Sequence, residues 1–362
     1  MMNVKVPLFV FMITLCISFP MKVQGIAGED HEEACGFIKD KYDVMIIMDT
    51  IDDWSSGIRN GFKDGLSKAL AESQRSVNYT VIDTQLKKEN VPGIIQKIKS
   101  MQPDLICTIN FPTAFSDIMI TQKLKGPEYK FVSENCVPIE SGTIQSWKKP
   151  GGNVTGVGVF IQMNSPIRLI KKLNPEADKL VFFTWDQMEL ANQWFREEVS
   201  RAAKEEGVQL VTFKTLKHHE EAIEFLSKYS HKGMDYFAMP GISVFVNKEG
   251  EFINAGVVES KWIRENMKIG LTSFDENDIK YGKLAGTCVI WYDIGAQLAE
   301  KGIRILKGEN PGDIPWDYPR KYNIIINRKR AQDLGVTIPQ DIINASYRIY
   351  TDYHGSYIGQ GK

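Results

Sequence analysis

Tyr42-Asp-Val-Met-Ile-Ile-Met48 is an apolar run of strand length that ends at Asp49. The segment that follows carries apolar residues at every fourth position from Ile58 to Leu70, which is the spacing of one helix face. A buried strand followed by an amphipathic helix is the first half of a β-α-β unit. The rest of the chain repeats this order, so this stretch decides the fold class.

The alternation continues outward from this unit. The predicted strands of the first half are 42–48, 77–82, 105–109 and 129–132, and the predicted helices are 54–70, 91–101 and 114–124. Strands that are apolar along nearly their whole length are typical of a parallel sheet with helices on both faces. The first half is therefore predicted to be an α/β lobe.

The same order restarts after the turn-forming segment Lys149-Pro150-Gly151-Gly152-Asn153. The predicted strands of the second half are 180–183, 208–213, 236–239 and 269–272, and the predicted helices are 166–173, 188–206, 218–229 and 255–267. Two runs of the same order favour two lobes over one large open sheet. A chain of 362 residues also has room for two domains at ~150 residues each.

Composition excludes several classes of protein. The chain has 44 basic and 45 acidic residues, a net charge of −1, and 43% hydrophobic residues. These values are those of an ordinary globular protein and exclude a disordered chain or a polybasic nucleic-acid binder. No catalytic motif such as G-x-S-x-G, H-E-x-x-H or a Walker loop is present in the sequence. We therefore predict a protein that is not an enzyme and uses no cofactor and no metal.

The start of the chain is typical of a secretory signal peptide. A positive charge at Lys5 precedes the apolar run from Val6 to Phe19, and Val23-Gln24-Gly25 provides a cleavage site. The run is short for a membrane span, although an anchor that stays attached is the alternative. We predict that residues 1–25 are removed and that the mature protein is periplasmic or otherwise extracytoplasmic.

Export leaves four cysteines, with three possible pairings. They are Cys35, Cys107, Cys136 and Cys288. Cys107 and Cys288 lie in apolar strand-like runs, so we predict that these two are packed thiols.

The loops that follow the strands are the predicted ligand site, because open α/β sheets bind ligands beyond the carboxyl ends of their strands. The six loops are 49–54, 110–113 and 133–135 in the first half, and 184–187, 240–243 and 273–277 in the second. They hold several acidic residues and no Lys or Arg: Asp49, Asp52, Asp53, Glu134, Asp186, Asp275 and Glu276. Such loops favour a cationic or zwitterionic ligand over an anion.

Ten residues of these loops are the predicted ligand contacts: Asp53, Trp54, Asn110, Thr113, Ser133, Glu134, Trp185, Asp186, Gly241 and Asp275. Trp54 and Trp185 occupy comparable positions in the two halves. Either they flank a planar or cationic group, or each covers the core edge of its own lobe. Acids that precede helical patterns, Asp186 and Asp275 among them, have helix capping as their alternative role.

Four further segments carry a resemblance to a known family. They are Gly152-Asn-Val-Thr-Gly-Val157, Ile305-Leu-Lys-Gly-Glu-Asn-Pro-Gly-Asp-Ile-Pro315, Ile324-Ile-Ile-Asn327 and Ala331-Gln-Asp-Leu-Gly-Val-Thr-Ile-Pro339. In order and spacing, the chain from Tyr42 to Tyr350 resembles the ABC-transporter substrate-binding proteins, a family that includes tryptophan and tyrosine binders.

The resemblance implies a two-lobed periplasmic-binding-protein fold, in which each lobe is a mostly parallel sheet flanked by helices and three strands form the hinge. It implies crossings near 153–159, 286–291 and 314–318. The first lobe is then 40–156 plus 286–313, and the second lobe is 157–285 plus 314–350.

The resemblance also implies a function. A monomer would close around a small amino-acid-like ligand, zwitterionic or cationic, and deliver it to the membrane permease of an ABC importer, with no nucleic-acid partner. The alternative is a receptor subunit that reports occupancy to a membrane sensor protein. In the family's amino-acid binders, first-lobe loops hold the ligand carboxylate and a second-lobe acid meets the amine, which implies these roles for 110–113 and 274–276. This chain departs from the pattern at Asn110-Phe111 and in the extra length at 247–254.

Overall fold

The computed structural model describes residues 36–110, 113–159 and 162–359. The first lobe is built on five parallel strands in the order β2-β1-β3-β4-β5. The strands are β1 (Lys41–Met48), β2 (Ser76–Asp83), β3 (Leu105–Ile109), β4 (Phe131–Glu134) and β5 (Val154–Val157). Its helices are α1 (Asp53–Glu72), α2 (Val91–Met101) and α3 (Phe115–Met119).

Helix α1 begins where the sequence provides a cap. The Asp52 carboxylate accepts a hydrogen bond from the Ser55 amide at 3.0 Å, and the Ser55 hydroxyl accepts one from the Asp52 amide at 3.1 Å. This reciprocal pair is a capping box. The buried face of the helix contains Ile58, Phe62, Leu66 and Leu70, the residues that predicted it.

Two elements of the first lobe differ from the prediction. The predicted helix 114–124 ends at Met119 and is followed by a separate 3-10 turn, Thr121–Lys123. The predicted strand 129–132 begins two residues later, at Phe131. The reason for the later start is Asn153, whose side-chain amide donates at 2.7 Å to the carbonyls of both Leu124 and Tyr129.

The second lobe is built on eight strands in the order β13-β12-β11-β10-β9-β8-β6-β7. The strands are β6 (Lys179–Trp185), β7 (Gln209–Leu216), β8 (Tyr236–Pro240), β9 (Gly270–Asp275), β10 (Ala285–Val289), β11 (Asn323–Asn327), β12 (Ser346–Tyr350) and β13 (Tyr357–Gly359). Pairing is parallel except between β10 and β11 and between β12 and β13.

The remaining helices are α4 (Asn164–Leu173), α5 (Glu189–Glu205), α6 (His219–Ser227), α7 (Ala255–Asn266), α8 (Glu276–Tyr281), α9 (Trp291–Leu306), α10 (Arg328–Leu334) and α11 (Gln340–Ala345). Every strand and helix predicted between 166 and 272 is present, with bounds that differ by at most three residues. The predicted fold class, two mostly parallel sheets flanked by helices, is confirmed.

Helix α9 follows a strand of the second sheet but packs against α1 of the first lobe. A Cβ atom on Gly61 would lie 2.0 Å from the carbonyl oxygen of Tyr292, and one on Gly295 would lie 1.9 Å from that of Ile58. The two helices therefore contact each other backbone to backbone, and only glycine fits at these positions. The prediction that the first lobe resumes at residue 286 places this boundary too early in the chain. Residues 286–289 still belong to the second sheet, where they pair with β9 and β11.

The chain thus passes between the lobes after β5, after β10 and before β11. The first and third passages pair with each other through one parallel β-bridge, between Val157 and Asp317. The Asp317 amide donates to the Gly156 carbonyl at 3.0 Å, and the Gly158 amide donates to the Asp317 carbonyl at 2.9 Å. The buried ammonium of Lys301, on α9, lies 2.8 Å from the Asp317 carboxylate. Backbone pairing and an ion pair together hold this part of the hinge.

The predicted signal peptide and Cys35 lie outside the described residues. Within them, Cys107 and Cys288 are buried free thiols, as predicted. No helix in the described ranges has both the length and the apolar character that crossing a membrane requires.

Candidate functional site

A cavity of about 910 Å³ lies between the lobes, at the carboxyl ends of both sheets. The loops after β1, β3 and β4 line it on one side, and the loops after β8 and β9 line it on the other. Side chains from α5, α8, the segment 241–256 and Trp291 complete its wall.

Six of the ten predicted ligand contacts line this cavity: Asp53, Trp54, Asn110, Glu134, Gly241 and Asp275. Four do not: Thr113, Ser133, Trp185 and Asp186. The Ser133 hydroxyl points into the interior of the first lobe, where it donates to Asp117 at 2.9 Å. Asp186 lines a separate depression beside α5.

Trp185 covers the core of its own lobe. The side chain is only 4% exposed, its ring lies 6.3 Å from those of Phe245 and Phe252, and its indole N–H donates to the Lys217 carbonyl at 3.2 Å. The structure therefore favours the second of the two roles left open for this residue. The alternative in which Trp54 and Trp185 flank one ligand is not favoured, because Trp54 lines the cavity and Trp185 does not. Trp54 instead packs edge to face on Trp291 at 5.7 Å.

Three buried acids lie at the carboxyl end of the first sheet: Asp49, Asp117 and Glu134. Asp49 accepts hydrogen bonds from the amide and the hydroxyl of Ser116. Asp117 accepts from four side chains, at 2.7 to 3.2 Å: Thr108, Thr121, Ser133 and Asn135. Neutral donors of the protein thus satisfy two of the three acids.

Glu134 is the third acid, and it faces the cavity. Its side chain is buried, with an exposure of 3%, and its Oε2 has no hydrogen-bond partner among the described residues. Its backbone carbonyl is held by the Asn110 side chain at 2.8 Å and by the Asn110 amide at 3.2 Å. Burial, followed by the negative charges of Asp117 and Asp49, raises the pKa of Glu134 well above its usual range.

Asp275 lies on the opposite wall, at the end of β9. Its carboxylate caps α8 by accepting from the Asn277 amide at 2.9 Å, and it accepts from the Trp291 indole N–H at 3.1 Å. Asp275 is therefore both a helix cap and a cavity residue. Burial, together with the nearby Asp278 carboxylate, raises the pKa of Asp275 to about 7.

A buried lysine lies behind Asp275. The Lys283 ammonium lies 2.8 Å from Asp278 and 3.2 Å from Glu259, and none of its side chain is exposed. Burial alone would lower the pKa of Lys283, but the attraction of these two carboxylates raises it, so the ammonium form is retained. One lysine thus lies among three carboxyl groups, those of Asp275, Asp278 and Glu259. Acidic groups therefore outnumber basic ones on this wall of the cavity.

Aromatic side chains form much of the remaining wall: Trp54, Trp194, Phe195, Phe245, Phe252, Phe274, Tyr281 and Trp291. One of them joins the lobes, because the Tyr281 hydroxyl donates to Asp53 at 3.0 Å.

Of these aromatic residues, only Trp54 is among the ten predicted contacts, although Phe274 lies in the predicted loop 273–277. Trp194 and Phe195 belong to the pattern of the amphipathic helix α5, which predicts burial and not a cavity wall. Phe252 lies in the segment noted for its extra length, which folds as a short hairpin with Val246 paired to Phe252. That extra length was the one available signal.

Comparison with known proteins gives one family match. The sequence pattern of the ABC transporter substrate binding proteins matches residues 44–349. A tyrosine-binding protein of Clostridioides difficile (strain R20291) is 26% identical over 276 residues, which are 75% of this chain and 76% of the relative.

Solved structures show the same fold. The ABC domain in complex with L-Trp from Streptococcus pneumonia superposes with a TM-score of 0.70 at 18% identity, covering 85% of this chain and 99% of that chain. The ligand-free, open form of a substrate-binding protein with adhesive properties from Clostridium difficile gives 0.63 at 20% identity, covering 83% and 97%. At these identities the likeness establishes the periplasmic-binding-protein fold and leaves the ligand open.

Proposed function

The chain belongs to the ABC transporter substrate-binding protein family, whose members bind solutes and are not enzymes, and from this premise we propose that it captures an amino-acid-like ligand for an ABC importer. The proposed ligand is zwitterionic or cationic and binds in the cavity between the lobes. The mature protein is proposed to act outside the cytoplasm, as a monomer.

The observation that carries this proposal is the charge of the cavity. Its acidic lining residues are Asp52, Asp53, Asp83, Glu134, Asp275 and Asp278. Lys87 is the one basic residue among the described lining residues, and it is exposed. A buried ligand group with a positive charge lowers the cost of keeping such acids ionised, whereas a purely anionic ligand raises it.

Asp275 is the proposed partner of the ligand amine. Its carboxylate lines the cavity and already accepts two hydrogen bonds, which fix its orientation. An ammonium group placed beside it would favour the ionised form, so binding is expected to lower the pKa of Asp275 from its value of about 7.

The aromatic wall favours a ligand with a planar side chain. Trp54 and Trp291 already form an edge-to-face pair, and Phe195 stacks on Phe274 at 6.2 Å between ring centres. A further ring gains from such contacts beyond its area of burial. The tyrosine-binding relative and the L-Trp complex support the same class of ligand.

Closure of the lobes is the proposed mechanism. A ligand that contacts both walls binds the closed form better than the open form and shifts the population towards it. The Tyr281–Asp53 hydrogen bond supports this proposal, since it links one residue from each wall and depends on their approach. A permease that recognises the closed form would then detect occupancy.

A thermal-shift screen of amino acids, amines, nucleosides and short peptides tests the ligand class, because a ligand that binds only the folded state stabilises it. Titration of Asp275→Asn with the best ligand then tests the amine contact. Loss of a buried charge partner costs about 3–5 kcal/mol, so affinity is expected to fall by over about a hundredfold. Asp186→Asn, a change at an acid outside the cavity, is the matched control. A normal affinity of Asp275→Asn with a lowered melting temperature would mean that Asp275 is a helix cap only.

Deletion of the gene tests the transport step. Uptake of the identified ligand is expected to fall in the deletion strain and to return with the wild-type gene but not with Asp275→Asn. Normal uptake with an altered transcriptional response to the ligand would instead support the sensing alternative.

A further inference from the structure

We propose that Glu134 determines ligand specificity by accepting, at Oε2, a hydrogen bond from a second donor group of the ligand, one separate from the amine that Asp275 meets. The inference rests on the proposed function and narrows the substrate class. The ligand would be an amino acid whose side chain carries an O–H or N–H donor, such as a phenol, an indole or a basic group.

The inference is drawn from the three buried acids of the first lobe, which share an environment and differ in one respect. Ser116 satisfies Asp49, and four side chains satisfy Asp117. Glu134 alone lines the cavity, and its Oε2 is buried without a partner among the described residues. A buried polar atom that lacks a partner is costly, and most such atoms in folded proteins are satisfied. A ligand bound in the cavity would provide the hydrogen-bond donor that Oε2 lacks.

Glu134 also has a fixed position. Asn110 holds its backbone carbonyl from both the amide and the side chain, and the Asn110 side-chain oxygen in turn accepts from the Asp117 amide at 2.9 Å. The buried network therefore positions the backbone of Glu134, while the side-chain Oε2 has no partner among the described residues. Such preorganisation is typical of a residue that contacts a ligand.

The surrounding charge decides that the ligand group is a donor. The titratable groups next to Glu134 are Asp49, directly after β1, Asp117, within α3, and the cysteines Cys107 and Cys136. None of these groups is cationic. A ligand carboxylate placed here would meet the carboxyl groups of Asp49 and Asp117 without a countercharge. An O–H or N–H group would meet an acceptor oxygen, because the Glu134 carboxyl group keeps one in either protonation state. Two acids on opposite walls thus select a ligand with two donor groups.

Pairs of amino acids that differ in one donor test the proposal directly. The two pairs are tyrosine with phenylalanine and lysine with norleucine. For the pair that resembles the natural ligand, we expect wild-type protein to bind the amino acid with the donor at least about a hundredfold more tightly than the one without it. A site built around a hydrogen bond rejects an analogue that lacks the group by such factors or more. Isothermal titration of both pairs gives the ratios.

Glu134→Met removes the acceptor and keeps the length of the side chain. We expect the ratio within the preferred pair to fall to about fivefold or less, while Glu134→Gln, which keeps an acceptor oxygen, retains part of it. Glu140→Met, the same change at an exposed glutamate of the same lobe, is expected to leave the ratio unchanged. Because Glu134→Met also removes an unsatisfied buried acid, its melting temperature without ligand is expected to equal or exceed that of the wild type.

An unchanged ratio in folded Glu134→Met overturns the proposal, as does a lowered melting temperature with an unchanged ratio, which would indicate a structural role. Wild-type protein that prefers phenylalanine and norleucine overturns it as well. In each case, loss of binding in Asp275→Asn would still support the proposed function. The two proposals therefore fail separately.

Discussion

The two lobes stabilise their buried acids in different ways. In the first lobe, neutral hydroxyl and amide donors surround Asp49 and Asp117. In the second lobe, Lys283 lies between Asp278 and Glu259. Neutral donors orient a carboxylate without cancelling its charge, whereas a lysine cancels one charge outright. The difference teaches that the first lobe depends on the ligand for any positive charge, while the second lobe already contains part of its own.

Lys283→Met removes the counterion of the second lobe and should have the largest effect on the free energy of unfolding. It leaves Glu259 and Asp278 buried without their counterion, and removal of one partner of a buried ion pair costs about 3–5 kcal/mol. We expect the free energy of unfolding, measured by urea denaturation, to fall by that amount. Lys261→Met, at an exposed lysine of α7, should change it little. A stability equal to that of the wild type would show that the buried acids of the second lobe do not need the lysine as a counterion. The two lobes would then not differ in how they stabilise their acids.

Asp117→Asn tests the first lobe by the same measurement. An asparagine has one acceptor oxygen in place of two, and its amide group would face hydroxyl and amide donors such as Asn135. Hydrogen bonds to a charged group contribute about 1.5–3 kcal/mol, so we expect a loss of about 2 kcal/mol, less than for Lys283→Met. A greater loss of unfolding free energy in Asp117→Asn than in Lys283→Met would contradict this expectation.

The pH dependence of binding should distinguish the walls further. Because the pKa of Asp275 is about 7 in the free protein, an amine must displace its proton below that pH. Affinity is therefore expected to rise about tenfold from pH 6 to pH 8, as for one linked proton. Calorimetry in buffers of different ionisation enthalpy would measure the proton released. Affinity that does not change with pH would remove Asp275 as the partner of the amine.

Asp275 should make the stability of the ligand-free protein fall as the pH rises, whereas ligand affinity rises with pH. The pKa of this group is higher in the folded than in the unfolded state, where it is about 4. The folded state therefore holds the proton more tightly over the interval from about pH 4 to about pH 7. The contribution of Asp275 to stability is full below this interval and is lost as the pH rises through it. In Asp275→Asn this part of the pH dependence should disappear.

Tyr281→Phe should have the smallest effect, because it removes one partly exposed hydrogen bond between the lobes. We expect ligand affinity to weaken by about threefold, consistent with about 0.5–1 kcal/mol for such a bond. Small-angle scattering should still show compaction when the ligand saturates the variant. A radius that does not change in wild-type protein at saturation would contradict hinge closure itself.

Periodicity in the sequence was sufficient for most of the fold. The bounds of α2 and β3 were predicted without error, because their apolar patterns are bounded by clear breaks. Of the site, Glu134 and Asp275 were predicted since both end a strand at the cleft. Trp185 also ends a strand but turns to its own core, and position along the chain does not determine that direction.

The remaining site residues depend on tertiary arrangement. Trp291 reaches the cavity because α9 returns to pack on α1, and Tyr281 reaches it from the last turn of α8. Neither helix carries a local signal of contact with a ligand. The sequence gives equally little sign that Oε2 of Glu134 lacks a partner among the described residues, because this depends on which neighbouring acids receive hydrogen bonds in the fold.

The backbone contact between α1 and α9 has a practical consequence for Trp291. The first turn of α9 fastens this residue to the first lobe, where its ring packs on Trp54, while its indole N–H bonds to Asp275 of the second. Separation of the lobes would break that bond and place the indole in a more aqueous environment. The emission of Trp291 is thus an optical reporter already built into the protein. With the other tryptophans replaced, the lobes can be followed by stopped-flow fluorescence without any attached dye.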